Sequence, residues 1–344
     1  MKQQIFLFGL IVMLASCSVE ENTPQEKQTD VPALTELEEK ELHEQAAMLL
    51  GSLPKQMPGA EHDTPEQIAL GKMLYHDVLL SENKTQSCNT CHNVNNGGFG
   101  VDNEPTSKGA FGKRGDRNSP TVLNAGYQFV QFWDGRAADL AEQAKGPVLN
   151  PVEMAMPDEA TMVGRLEVVP EYVKAFNAAF PRLKNSISYA NMASAIASFE
   201  RTLISRSRFD DYVEGNQKAL TTTEKRGLQE FFNTGCTMCH SGPLLGGAMY
   251  QRLGLVHPYS TKDLGRGTVT KDAADSMMFK VPQLRNIALT APYFHDGSIA
   301  KLDEAIRLMA WHQLDKKLST AQITSIAAFL GALTDPGRGN TAVN

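Results

Sequence analysis

Five cysteines in 344 residues leave little to cross-link. Cys88 and Cys91 lie in one Cys-x-x-Cys-His motif, Cys236 and Cys239 in another, and Cys17 in the N-terminal segment; with each committed there, none is left for a structural disulfide. Long hydrophobic runs are also missing. The apolar stretch Ile5 to Leu14 has only about ten residues, and a permanent membrane helix needs about twenty. Basic clusters are scarce: the formal charge is −6, and no patch has the footprint of a nucleic-acid binder. Strand-like runs are few and short, which argues against a sandwich or barrel. What remains is a chain with 42% apolar residues, enough for one large or two medium domains.

The N-terminus reads as an export signal. Lys2 forms a short basic region ahead of Ile5–Leu14. Leu14-Ala15-Ser16-Cys17 then resembles the lipobox of bacterial lipoproteins. That resemblance implies removal of residues 1–16, a lipid on Cys17, and attachment to the periplasmic side of a membrane. Ser18 after the cysteine leans toward the outer membrane. The alternative is a plain secretory signal with an incidental cysteine. From Glu20 to Glu44 there are nine acidic residues against Lys27 and Lys40, so residues 17–45 are expected to form an acidic tether, with a helix starting between Leu34 and Leu50. The rest of the mature chain is about neutral.

An internal repeat organises the remainder. Thr64-Pro65-Glu66-Gln67 opens a capped helix with Leu70, Gly71 and Leu74, followed by Cys88-Asn89-Thr90-Cys91-His92. Thr221-Thr222-Thr223-Glu224 opens a second with Gly227, Leu228 and Phe231, followed by Cys236-Thr237-Met238-Cys239-His240. Cys-x-x-Cys-His offers two thiols for thioether bonds to haem vinyl groups and an imidazole for the iron. A shared zinc site would need the two pairs much closer in sequence, and a dithiol redox pair would sit by a βαβ pattern that is absent. The expected fold is mainly α: two class I cytochrome c-like domains, each with one covalent c-type haem. Residues 46–210 would form the N-terminal haem domain and 211–344 the C-terminal one. A helical pattern over Asn191–Tyr212 would lie at the boundary.

The chain resembles the bacterial di-haem cytochrome c peroxidase family, which includes the MauG-type maturation enzymes. The resemblance rests on Leu70-Gly71-Lys72 with Leu79-Leu80-Ser81, Arg117-Asn118-Ser119-Pro120-Thr121, Phe132-Trp133-Asp134-Gly135-Arg136, Gly146-Pro147 to Glu153-Met154, and Leu284-Arg285-Asn286 through Pro292-Tyr293-Phe294-His295-Asp296-Gly297. It implies a peroxidatic haem on Cys88, Cys91 and His92, and an electron-transfer haem on Cys236, Cys239 and His240 with Met309 as distal ligand. MauG-type members carry a tyrosine at that place. His312, one turn on, is the rival ligand. The match further implies Glu153 as distal acid/base, Gln143 as the amide that orients peroxide, and Trp133 between the haems. It also implies an inter-domain calcium site from Asn118, Thr290 and Pro292. Without the resemblance, Glu153 and Gln143 read as surface residues and Trp133 as a core aromatic.

One departure stands out. Many members have a distal histidine that blocks the peroxidatic iron until the other haem is reduced. Counting back from Arg117-Asn118, that position is Ala110, and no His or Met occurs between Asn93 and Phe132. The first haem is therefore expected to be open in the oxidised protein, with Lys108 or Lys113 as alternative ligands and His76 structural. The implied activity is two-electron reduction of hydrogen peroxide to water, fed by a small periplasmic cytochrome c or cupredoxin, in a homodimer. The alternatives are MauG-type modification of a protein substrate and a non-enzymatic di-haem electron carrier.

Overall fold

The residues expected to cap the two repeated helices do so. Thr64 accepts the backbone N–H of Gln67 while Gln67 reaches back to Thr64 N–H, and Thr221 and Glu224 make the same reciprocal pair. Each pair satisfies two N–H groups that a helix start leaves open. The computed structural model describes Met1 and residues 33–338. The expected signal peptide, Cys17 and the tether up to Pro32 lie outside the described residues.

Twelve α-helices run through the described residues. They are α1 (Glu36–Leu49), α2 (Pro65–His76), α3 (Cys88–Cys91), α4 (Leu140–Leu149), α5 (Glu159–Glu167), α6 (Pro170–Ala179), α7 (Tyr189–Glu200), α8 (Arg208–Val213), α9 (Thr222–Thr234), α10 (Gly267–Thr270), α11 (Leu302–Leu314) and α12 (Thr320–Ala332). The one sheet among them is a short antiparallel pair, β1 (Tyr250–Arg252) and β2 (Met278–Lys280), with Tyr250 opposite Lys280. The fold is thus mainly α, as expected. Residues 33–338 form one compact unit built around two hydrophobic cores.

Both cores use the same helix crossing. In the first, α2 meets α7 at Gly71, where an added Cβ would lie 1.8 Å from the carbonyl oxygen of Ala195 and 2.9 Å from Phe199 Cβ. In the second, α9 meets α12 at Gly227, where it would lie 1.9 Å from Ser325 O and 2.9 Å from Phe329 Cβ. Hydrogen in place of a side chain brings the backbones together. Leu70, Leu74 and Tyr75 then bury against Met192 and Ile196, and Leu228 and Phe231 against Ile326 and Phe329. The duplication extends beyond the crossings. Asn124 and Asn286 share φ 62°, Phe132 and Phe294 have φ 66° and 68°, and the bridges Gln131–Ala137 and Tyr293–Ile299 match. Each pair is offset by 162 residues (286 − 124, 294 − 132, 293 − 131), as are the starts of α4 and α11.

Three expected boundaries are corrected. The tether does not extend to residue 45: Glu36, Glu38 and Glu39 lie in the first turn of α1, where acidic groups favour a helix N-terminus. Leu42, Ala46 and Leu50 bury with Phe209 and Tyr212, so α1 belongs to the second core, not to a domain starting at 46. Lys225 holds Glu39 at 2.6 Å and secures it there. The domain boundary at 210/211 also falls inside α8, and the helix expected over Asn191–Tyr212 is broken. Asn124 accounts for the break by pairing with the extended segment, donating to Leu203 O and Ser205 O and accepting from Ser205 N–H. Ser207 and Asp210 then cap a new helix. Asp210 is fully buried in a bidentate pair with Arg285 (2.6 and 2.8 Å) and also accepts from Leu53 and Ser207 N–H, the set of bonds a buried carboxylate requires.

Two stability tests follow from this packing. Gly71→Ala and Gly227→Ala should each destabilise the protein by at least about 1–3 kcal/mol, because the overlap is with backbone that cannot swing away; an unchanged denaturation midpoint would refute the shared crossing. The second concerns Glu200 at the end of α7, which is buried, with Oε2 unpartnered among the described residues. Burial pushes its pKa from the ordinary 4.5 up to about 8. Because the folded value is the higher one, stability contributed by the neutral acid is complete below pH 4.5 and is lost as pH rises through about 8. Relative to Glu200→Gln, the wild-type melting temperature should fall across that window, and parallel curves would contradict the assignment.

Candidate active site

The two Cys-x-x-Cys-His turns open into separate cavities. Cys88, Cys91 and His92 line the first together with Gln143, Glu153 and Glu200. Cys236, Cys239 and His240 line the second together with Met309. In each, the first cysteine starts a helical turn that returns the histidine N–H to its carbonyl at 2.9 Å, placing the thiols and imidazole on one side. Tyr75 in α2 donates to His92 O at 2.6 Å and ties the first turn to the core.

These residues fit a covalent haem. His240 Nδ1 lies 2.9 Å from Leu245 O, and His92 Nδ1 lies 3.4 Å from Gly100 O and 3.2 Å from Ser119 Oγ. Burial depresses both imidazole pKa values, so the rings are neutral. A proton held on Nδ1 by a carbonyl leaves Nε2 as the metal-binding nitrogen. The rival chemistries fit less well. Burial pushes the Cys91 thiol up to about 11 and Cys236 up to about 12, whereas redox dithiols have depressed values. No group of three or more His, Cys, Asp or Glu able to hold a metal occurs among the described residues.

The cavities differ in character. The first is the larger, ≈ 970 Å³ against ≈ 240 Å³, and charged Arg117, Asp134, Arg136 and Asp263 stand in its wall. Arg117 bonds Asp263 through Nε and Nη2 (2.6 and 2.8 Å) and Asp134 through Nη1 (2.5 Å), fixing this wall. Leu284, Ile306, Ile326 and Leu330 dominate the second. Met309 on α11 shares it with His240. His312 does not line it; its Nδ1 is 2.8 Å from His257 O. At the 162-residue offset, the counterpart of Met309 is Pro147 (309 − 147), which lines the first cavity and carries no ligating atom in its side chain.

Gln143 and Glu153 come together through local turns. Asp139 caps α4 and sets Gln143 one turn ahead of Pro147. Met154 N–H then bonds Pro147 O, and Asn150 Nδ2 donates to Glu153 Oε1 at 2.9 Å. Burial raises the Glu153 pKa against the pull of Arg136 and Asn150. The loop carrying Ala110 is folded onto this segment. Ala110 N–H bonds Glu153 O at 2.7 Å, and a Cβ on Gly109 would lie 2.1 Å from Val152 O. Lys108 and Lys113 are exposed and do not line the cavity. His76 bonds Lys72 O and Asn95 Oδ1, a structural role.

Trp133 lines both cavities and donates from Nε1 to Asn118 O at 2.9 Å. Asn118, Thr290 and Pro292 share one cavity wall, with Asn118 Nδ2 turned to Glu104 O and Pro105 O. The motif-based expectations did not include Glu200, Ser119 beside His92, or His295. The last was within reach, since Phe132-Trp133-Asp134-Gly135 returns as Phe294-His295-Asp296-Gly297.

The chain is similar to several known proteins. The family model described as di-haem cytochrome c peroxidase matches residues 65–218. The cytochrome c551 peroxidase of Pseudomonas aeruginosa is 44% identical over 301 residues, covering 85% of this chain and 86% of that protein. The cytochrome c551 peroxidase of Nitrosomonas europaea is 44% identical over 278 residues, covering 79% and 81%. Among solved structures, a MauG-like protein associated with microbial copper homeostasis superposes with a TM-score of 0.74 at 29% identity, covering 83% of this chain and 94% of that one. At such identity over most of both sequences, the chain belongs to the di-haem cytochrome c peroxidase family.

Proposed function

We propose that the protein reduces hydrogen peroxide to water, with two protons and two electrons consumed per peroxide and two waters released. The observation that carries this is the inequality of the cavities. The first gathers Gln143 and Glu153 with Pro147 at the counterpart of Met309, and the second sets Met309 with His240. When bound, covalent haem supplies the reversible one-electron chemistry at both places.

In the first cavity Cys88 and Cys91 would anchor the group, and His92 would supply a nitrogen ligand. Gln143 orients the peroxide through its amide. Glu153 accepts a proton at a carboxylate oxygen from one peroxide oxygen and returns it to the other. Burial keeps that proton affinity higher than an ordinary carboxylate's, which suits a group that must both take and give near neutral pH. Cys236, Cys239, His240 and Met309 hold the relay site in an apolar wall, and Trp133 lies between the two. Methionine at 309, rather than the tyrosine of MauG-type members, favours peroxide reduction over protein modification.

The first site is ready without prior reduction, because Ala110 stands where a blocking histidine is expected and its loop is bonded to the Glu153 segment. Electrons come from a small periplasmic cytochrome c or cupredoxin. The lipid on Cys17, the outer-membrane location and a homodimeric state belong to the same proposal, on sequence grounds. A calcium ion held by Asn118 Oδ1 and the Thr290 and Pro292 carbonyls, completed by water, would pin the wall shared by the two halves.

Two experiments test the proposal. Glu153→Gln should lower kcat about 10²–10⁴-fold while leaving the haem spectra intact; unchanged turnover would remove Glu153 from the chemistry. Stopped-flow mixing of fully oxidised protein with peroxide should give an immediate spectral change, and an inert spectrum until pre-reduction would overturn the open first site.

A further inference from the structure

Trp133 has a structural counterpart that the proposed reaction leaves unused. At the 162-residue offset it corresponds to His295 (295 − 133), on a turn with the same left-handed backbone at Phe294 and Gly297 as at Phe132 and Gly135. Both side chains line both cavities. One peptide segment joins them: Trp133 Nε1–H donates to Asn118 O at 2.9 Å, and Asn118 N–H donates to His295 O at 2.7 Å.

The His295 ring is only 2% exposed and packs on Phe279 at 4.4 Å between centroids. Its Nε2 lies 3.3 Å from Thr261 Oγ1, while Nδ1 has no partner among the described residues. Thr261 Oγ1 accepts Asp263 N–H at 3.1 Å; with its own hydrogen given to Nε2, the ring proton is on Nδ1. Burial lowers the ring's pKa and keeps this tautomer neutral. The result is a buried N–H donor with nothing to bond, which proteins rarely tolerate. Nearby carboxylates are engaged elsewhere: Asp263 with Arg117, and Asp296 with Tyr259 and Ser298. The missing acceptor must come from a cavity.

We propose that His295 Nδ1–H binds a propionate carboxylate of haem at the wall between the two cavities, making His295 a positioning residue paired with Trp133. The assignment rests on the two cavities holding haem, as proposed above. Loss of the donor leaves the carboxylate's charge less compensated, which favours the ferric state and lowers that haem's midpoint potential.

The test is a spectroelectrochemical titration of the holoprotein and two variants. His295→Phe keeps a ring on Phe279 but removes the donor, and His295→Asn keeps an amide N–H close to the place of Nδ1. His295→Phe should shift one haem's reduction equilibrium about tenfold toward ferric, a fall of about 59 mV for a one-electron couple, and His295→Asn should restore most of it. His295→Leu serves the same comparison if the Phe variant does not accumulate. Unmoved midpoints without the donor, or an equal fall in the Asn variant, would overturn the assignment. A pyridine haemochrome assay separates this from failure of its premise: fewer than two thioether-bound haems per wild-type chain overturns the haem occupancy itself.

Discussion

Two backbone contacts set the geometry on which everything else rests. Gly71 against Ala195 and Gly227 against Ser325 let paired helices touch with no side chain between them. Each crossing fixes the helix that leads into a Cys-x-x-Cys-His turn, and so fixes where two thiols and an imidazole face. Because both crossings have the same form, the protein has two cofactor sites of one design. A Cβ at either glycine would shift a helix and with it the turn it delivers.

Function depends on where the two copies differ. α4 and α11 are counterparts, yet Pro147 stands in one where Met309 stands in the other. A thioether suits an iron that stores and passes electrons. A proline leaves its side free, and the same segment then turns to bring Glu153 and Gln143 into the first cavity. Charged groups stand in the wall beside Gln143 and Glu153, and aliphatic side chains beside Met309. The Trp133 and His295 turns are also counterparts, but both line the wall shared by the two cavities.

Much of this was legible in the sequence because it was carried by local signals. Thr64 with Gln67 and Thr221 with Glu224 announced both leading helices, and the two haem motifs gave the sites. The second core was less legible. The helix starting between Leu34 and Leu50 was legible, but the tether span 17–45 still included residues 36–44, because Leu42, Ala46 and Leu50 find their partners around Phe209 and Tyr212, more than 150 residues away. The break after Glu200 was hidden for a related reason, because it depends on long-range bonds from Asn124 to Leu203 and Ser205. Family resemblance, rather than residue pattern, selected Gln143, Glu153 and Met309. The structure brings the first two into one cavity and sets the third with His240. Glu200 carries no motif, and only burial singles it out.

The central claim is that one site is closed by Met309 and the other is open opposite His92. Electron paramagnetic resonance of the fully oxidised protein tests it most directly. The account predicts a high-spin ferric signal from one haem beside a low-spin His/Met signal from the other, and two low-spin haems would contradict it.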